Sequence, residues 1–180
     1  FPTGVSDGFI VFNVYSRRLH MYDGGSWISL GDVGAYLSLM QGMPYLRGFW
    51  AMNSLHLLVN VQEQGAQGRT LTNTNATFAL LNNRISYAVF NGTTAYLERA
   101  NEGGLSFAAD LVVGCWVKLT ATGTQCLISK FGAVGQYSYE LVYITGTGFR
   151  FQVSSNGTAV TFVTSTDPSP GTTDWYHVVG

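Results

Sequence analysis

Residues 137–165 read YSYELVYITGTGFRFQVSSNGTAVTFVTS, and they give the clearest indication of the fold class. Three runs rich in aromatic and β-branched residues are separated by the turn signals TGTG and SSNGT. Such runs are typical of strands, and short Gly/Asn-containing breaks between them are typical of hairpins. The stretch therefore predicts an antiparallel meander of three strands.

The same alternation of strand-like runs and turn signals continues through the whole chain after Leu46. Turn signals recur about every ten residues and no segment shows helical periodicity, which favours an all-β, antiparallel β-sandwich or jelly roll. Two further strand pairs are predicted, one around Asn91-Gly92 and one joining DLVVGCWVKL to CLISKF. The predicted core consists of apolar residues from these strands: Phe90, Tyr96, Leu105, Phe107, Val113, Trp116, Val117, Leu127, Ile128, Leu141, Phe151, Val153 and Trp175.

The N-terminal part of the chain predicts a small, separate set of strands. Residues 8–30, GFIVFNVYSRRLHMYDGGSWISL, predict three short strands at Phe9 to Val14, Leu19 to Tyr22 and Trp27 to Leu30. So small a meander buries too little surface to stand alone. We therefore predict an anchoring or oligomerisation meander at 1–30, a connector at 31–45 and the sandwich at 46–180.

Composition excludes several function classes. Charged residues make up 11% of the chain, the formal net charge is −1, and the lysines are Lys118 and Lys130. Nucleic-acid binding requires clustered Lys and Arg, so it is not expected. No apolar run reaches the roughly 18 residues of a membrane span.

If Cys115 and Cys126 lie in one hairpin, they are on the order of 13 Å apart at 3.3 Å per residue, which predicts two free thiols.

A family resemblance rests on six segments in a fixed order: GFWAMN, GAQGRTLTN, YAVFNGTTAYLERANEGGLSF, DLVVGCWVKLTATGTQCLISK, YSYELVYITGTGFRFQVSSNG and DWYHVVG. This series, over roughly residues 45 to 180, resembles a laminin-G-like, concanavalin A-like lectin domain of the kind found in phage tail and fibre proteins. The meander is separately similar to short tail-fibre segments of the form YN…RLYVYDGGSWV.

The resemblance implies a concanavalin A-like jelly roll in which further strands follow DWYHVVG, so we expect the natural polypeptide to continue. It also implies a virion or extracellular protein, a phage tail or head fibre-like component for host attachment. Its expected partners are copies of itself (a trimer by analogy with tail fibres), other virion proteins and a host-surface glycan. The alternative is a carbohydrate-binding module of a secreted bacterial enzyme or adhesin.

Catalytic motifs are not evident, and we predict a protein that is not an enzyme. Glycoside hydrolases need two carboxylates about 5 to 10 Å apart, arranged on a strand as in E-x-D-x-x-E, and no such run occurs. The histidines His20, His56 and His177 show no metal-ligand spacing.

Candidate binding residues follow from two patterns. Tyr137, Tyr139 and Tyr143 recur along one strand and suggest an aromatic face for sugar stacking, although core packing or an oligomer interface explains them equally well. Since the family often binds calcium at the rim of the sandwich, calcium is a candidate cofactor. Local hydrogen bonding in turns is the competing explanation for the candidate rim oxygens, which belong to Glu63, Asn91, Asp110, Asp167 and Asp174.

Overall fold

The computed structural model describes residues 10–13, 18–23, 26–32, 46–52, 60–61, 67–81, 85–107, 110–167 and 169–180. Over this part of the chain the protein is all-β, with antiparallel pairing throughout, and its one helical segment is the 3₁₀ turn Gly103–Leu105. This confirms the predicted fold class. None of the helices among the described residues has the length and apolarity needed to cross a membrane.

The chain divides into two compact units, residues 1–101 and residues 102–180. The boundary falls inside the segment 46–180 that the sequence predicts as one sandwich. Each unit is described by itself.

The first unit begins with the predicted meander. Strands β1 (Ile10–Asn13), β2 (Arg18–Asp23) and β3 (Ser26–Asp32) form a three-stranded antiparallel sheet in chain order. The strands lie within about two residues of their predicted positions because turn residues delimit them. The anchoring role of this sheet stays a prediction.

Among its described residues, the first unit contains five more strands. They are β4 (Asn60–Val61), β5 (Leu71–Thr74), β6 (Thr77–Leu81), β7 (Ile85–Val89) and β8 (Tyr96–Glu98), arranged as the sheets β4-β5-β8 and β6-β7. The predicted strand pair around Asn91-Gly92 is therefore wrong, since β7 pairs with β6 and β8 pairs with β5. Between the two strands, Asn91 Oδ1 accepts from the N–H groups of Thr93, Thr94 and Ala95 and so stabilises a local turn.

The second unit contains a four-stranded sheet in chain order. Its strands are β10 (Gln125–Phe131), β11 (Tyr137–Ile144), β12 (Gly148–Val153) and β13 (Thr161–Thr164). The last three are the predicted meander of residues 137–165. Gly146 and Gly148 in the TGTG turn have φ of +71° and +104°, conformations that glycine adopts most readily.

A second, two-stranded sheet is built from β9 (Gly114–Val117) and β14 (Tyr176–Val179). The predicted hairpin between the segments of β9 and β10 is therefore wrong. Val113 and Gly180 exchange two backbone hydrogen bonds of 3.0 and 2.9 Å, which extend the pairing of β9 with β14. The intervening loop bonds instead to the β11–β12 turn, where Thr145 Oγ1 donates to the Thr122 carbonyl at 2.6 Å.

The core of the second unit lies between these two sheets. It is formed by buried apolar residues of both sheets and of the segment that follows β9: Leu119, Leu141, Tyr143, Phe149 and Val178. Four residues predicted to lie in the core are exposed instead, namely Phe90, Tyr96, Trp116 and Val153. Cys115 and Cys126 are both free, as predicted, but they belong to β9 and β10, which lie in different sheets.

Candidate functional site

The outer face of the β9–β14 sheet carries an exposed tryptophan. Residues alternate along β9, so that Cys115 and Val117 pack against the core while Trp116 points outward and is 66% exposed. On β14, Val178 is buried whereas His177 and Val179 are exposed. A large indole left in solvent is unusual, because burial of a tryptophan is normally favourable.

Pairing of the two strands fixes the orientation of this tryptophan. His177 lies directly opposite Trp116 in the antiparallel register. The two rings stack with their centroids 4.9 Å apart and their planes at 23°. The imidazole thus supports the indole, while Trp116 as a whole remains 66% exposed.

Apolar and polar groups flank the stacked pair. Val112 is 77% exposed and Val179 is 55% exposed, and both alternate onto the outer side of the sheet. Lys118 is exposed and follows β9 on the same side. We call Val112, Trp116, Lys118, His177 and Val179 the Trp116 face.

A groove of about 350 Å³ adjoins this face, and His177 and Val179 belong to both. Its volume is at the lower end of the range of small-molecule sites. The groove runs between β14 and the end of the four-stranded sheet, and its lining is mostly apolar: Leu141, Phe149, Phe151, Val163, Thr164, Ser165, Tyr176, His177, Val178 and Val179.

The tyrosines predicted for sugar stacking lie elsewhere. Tyr139 is 8% exposed and Tyr143 is 2% exposed, so both rings belong to the packed interior. Tyr137 is half-buried and stacks on Phe131 at 4.5 Å with an interplanar angle of 7°. Burial leaves Tyr139 and Tyr143 no ring face for a sugar, and the core-packing explanation accounts for them.

The candidate rim oxygens have different surroundings. Glu63 lies outside the described residues, and Asp110 and Asp174 are exposed. Asn91 Oδ1 is occupied by the three backbone N–H groups of its turn, and Asp167 Oδ1 accepts from the Ser169 N–H at 3.0 Å. Over the described ranges, no group of three or more His, Cys, Asp or Glu side chains is placed to hold a metal ion.

The outer face of the four-stranded sheet carries a polar cluster. Gln152 Nε2 donates to Glu140 Oε2 at 2.6 Å, and the Arg150 guanidinium lies 4.2 Å from the centre of the Phe162 ring. Burial and the Glu140 carboxylate raise the pKa of the Cys126 thiol to about 11. Mutual contacts satisfy much of this cluster, which favours a structural role.

Strand alternation shows that Trp116 and Val117 could not both face the core, although it does not show which of them does. The sequence prediction placed both Trp116 and Val117 in the core, yet neighbouring residues of one strand point to opposite sides. With Cys115 and Val117 directed inward, the tryptophan must be directed outward.

Comparison with known proteins finds no family model that matches the chain, no similar curated protein and no similar solved structure.

Proposed function

We propose that this chain is a non-catalytic, adhesive β-sandwich protein that binds glycans through the Trp116 face. The observation that carries the proposal is the 66% exposed indole of Trp116, supported on one side by His177. An exposed aromatic ring whose position is fixed in advance loses little conformational freedom on binding.

Sugar chemistry matches this surface. A pyranose ring has an apolar face of C–H groups that packs against an aromatic ring, and its hydroxyls require hydrogen-bond partners at the edge. Trp116 offers the aromatic ring, the His177 imidazole stacked on it offers polar atoms, and Lys118 is an exposed ammonium group on the same side of the sheet. Val112 and Val179 widen the apolar contact area.

We place this activity in a virion, as part of a tail or head fibre-like protein that attaches to a host-surface glycan. Support comes from the family resemblance, from the low share of charged residues and from the small N-terminal sheet β1-β2-β3. That sheet would join copies of the chain or anchor it to other virion proteins. The trimeric state and the jelly-roll topology belong to the same proposal, and both rest on the resemblance.

The absence of catalysis is also part of the proposal. Hydrolysis of a glycosidic bond requires two carboxylates flanking the bond. The residues of the Trp116 face include no carboxylate, and Glu140 lies on the outer face of the other sheet, bonded to Gln152. A bound oligosaccharide should therefore be recovered uncleaved.

A glycan array followed by titration of the best ligand tests the proposal. Trp116→Ala is expected to weaken binding about tenfold or more, because hot-spot aromatic residues typically contribute at least 1 to 2 kcal/mol. Trp116→Phe should retain part of the affinity. Phe90→Ala is the matched control, since Phe90 is also an exposed aromatic, at 45%, but lies in the first unit.

Three results would contradict the proposal. The parent protein could bind no arrayed glycan, Trp116→Ala could bind as tightly as the parent, or Phe90→Ala could lose as much affinity as Trp116→Ala. Circular dichroism of each variant verifies that the fold is retained. Mass spectrometry of the recovered oligosaccharide tests whether it has been cleaved.

A further inference from the structure

The two edges of the four-stranded sheet differ in how they are protected. The β10 edge is irregular, with register shifts between Cys126 and Ile128 and between Lys130 and Phe131. Lys130 also ties this edge to the segment around the 3₁₀ turn, where its Nζ donates to the Leu105 carbonyl at 3.2 Å. Bulges, lysines and covering segments are the devices by which proteins prevent edge strands from pairing.

The β13 edge has none of these protections among the described residues. Its pairing with β12 is regular from Arg150↔Thr164 to Val153↔Thr161. Residues 159–165, AVTFVTS, contain no charge and no proline, and all four residues of β13 are exposed. Phe162 and Val163 are 52% and 66% exposed, on opposite faces of the strand.

The backbone groups at this edge are placed to bond a further strand. Ser165 N–H donates to the Phe149 carbonyl at 2.7 Å, so residue 165 faces β12. Because hydrogen-bonding direction alternates along an antiparallel strand, Val163 and Thr161 also face β12. The N–H and C=O groups of Phe162 and Thr164 therefore point away from the sheet, toward the free edge.

We propose that this edge pairs with the β13 edge of a second copy of the chain, antiparallel and about a two-fold axis at Phe162. This register makes the uncharged stretch 159–165 self-complementary: Phe162 faces its own counterpart, and Val163 faces Thr161 of the other copy. No charges are opposed, so the symmetric pairing carries no like-charge penalty. The Arg150 guanidinium lies over the Phe162 ring and positions the Phe162 side chain before the second copy binds.

The size of the contact sets its expected strength. One short strand and the exposed parts of Phe162, Val163 and Val160 cover less than the roughly 800 Å² per partner of a standard interface. We therefore expect a two-fold pairing that forms at micromolar or higher concentration and dissociates on dilution. It is separate from the trimer proposed through the N-terminal sheet, and in a trimeric protein it would join a chain of one trimer to a chain of another. This pairing does not depend on the proposed glycan site.

Sedimentation velocity over a concentration series tests the pairing with two matched valines. Val163→Lys puts a charge on the edge and is expected to raise the dimer dissociation constant about tenfold or more. Val134→Lys makes the same change at a valine that is 73% exposed in the β10–β11 turn, and it should dimerise like the parent. A parent whose sedimentation does not change with concentration, or a concentration-dependent association that Val163→Lys leaves unchanged, would overturn the proposal.

Disulfide trapping gives a second readout that does not depend on how Val163→Lys folds. In the proposed register the two Phe162 Cα atoms lie about 5.5 Å apart, within disulfide range. Phe162→Cys treated with oxidised glutathione should give a covalent dimer on a non-reducing gel, whereas Val134→Cys and the parent should not. Failure of Phe162→Cys to cross-link overturns the register. Trp116→Ala should dimerise normally, which separates this result from the glycan proposal.

Discussion

The strands of residues 102–180 have an inner side and an outer side with different chemistry. The inner sides of both sheets carry apolar residues such as Leu141, Tyr143 and Val178, which close the core. The outer sides carry two isolated exposed aromatic residues, Trp116 and Phe162. The Trp116 ring stacks on the His177 imidazole, and the Phe162 ring lies under the Arg150 guanidinium. Hydrophobic content alone therefore does not distinguish the two sides, since both contain large apolar residues.

This difference shows which residues stabilise the fold and which are available for contact. An inner residue gains free energy from burial in its own chain. Outer aromatics such as Trp116 gain little from their own fold, because half or more of each side chain remains in water. Substitutions on the two sides should therefore affect different measurements.

The largest effect on stability is expected at Leu141. Leu141 is 1% exposed at the centre of β11, so Leu141→Ala leaves a cavity between the sheets and should reduce the free energy of unfolding by about 3 kcal/mol. Urea denaturation followed by circular dichroism measures this change. Val134→Ala, at a 73% exposed valine, should change it by less than about 0.5 kcal/mol. A loss below about 1 kcal/mol for Leu141→Ala would contradict its place in the core.

A smaller effect is expected when adjacent residues of β9 are compared. Val117 packs against the core, so Val117→Ala should cost about 1 to 2 kcal/mol of unfolding free energy. Trp116→Ala removes a much larger side chain but should cost less than about 1 kcal/mol, because it loses only an exposed stacking contact with His177. The same urea titration measures both. If Trp116→Ala destabilises the protein more than Val117→Ala does, the indole stabilises the fold. That result would contradict the assignment of stability to inner residues and of contact to outer residues.

Much of the fold could be predicted from the sequence because local signals determine strands and turns. The meander 137–165 and the three N-terminal strands are present where turn signals in the sequence predicted them. The partners of β9 and of β8 could not be predicted, because hairpin reasoning assumes that strands adjacent in sequence pair with each other. β9 pairs with β14, about sixty residues later in the chain, and only tertiary packing selects such a partner.

The candidate site was predictable only in part. The recurrence of aromatic residues along one strand predicted tyrosines of β11, but four of the eight residues of this strand are buried. Tyr139 and Tyr143 fall on its inner side, whereas Trp116 falls on the outer side of a half-exposed strand. Which side of a strand faces the core depends on its partner sheet, so composition could not supply that information.

The smallest expected effect concerns the reactivity of Cys126 on the outer side of β10. The pKa of this thiol is raised from its ordinary value of 9.0 to about 11, mainly by burial and secondly by the Glu140 carboxylate. Because the folded protein favours the neutral thiol, the resulting contribution to stability is present below about pH 9 and is lost as pH rises through about 11. Glu140→Gln removes the carboxylate charge and should lower the pKa, so Cys126 should react faster with iodoacetamide at pH 8. Peptide-resolved mass spectrometry gives the rate for each thiol separately, and Cys115 is the internal control because burial alone raises its pKa. If Glu140→Gln leaves the rate at Cys126 unchanged, or accelerates both thiols equally, the carboxylate does not act on Cys126 across the outer side.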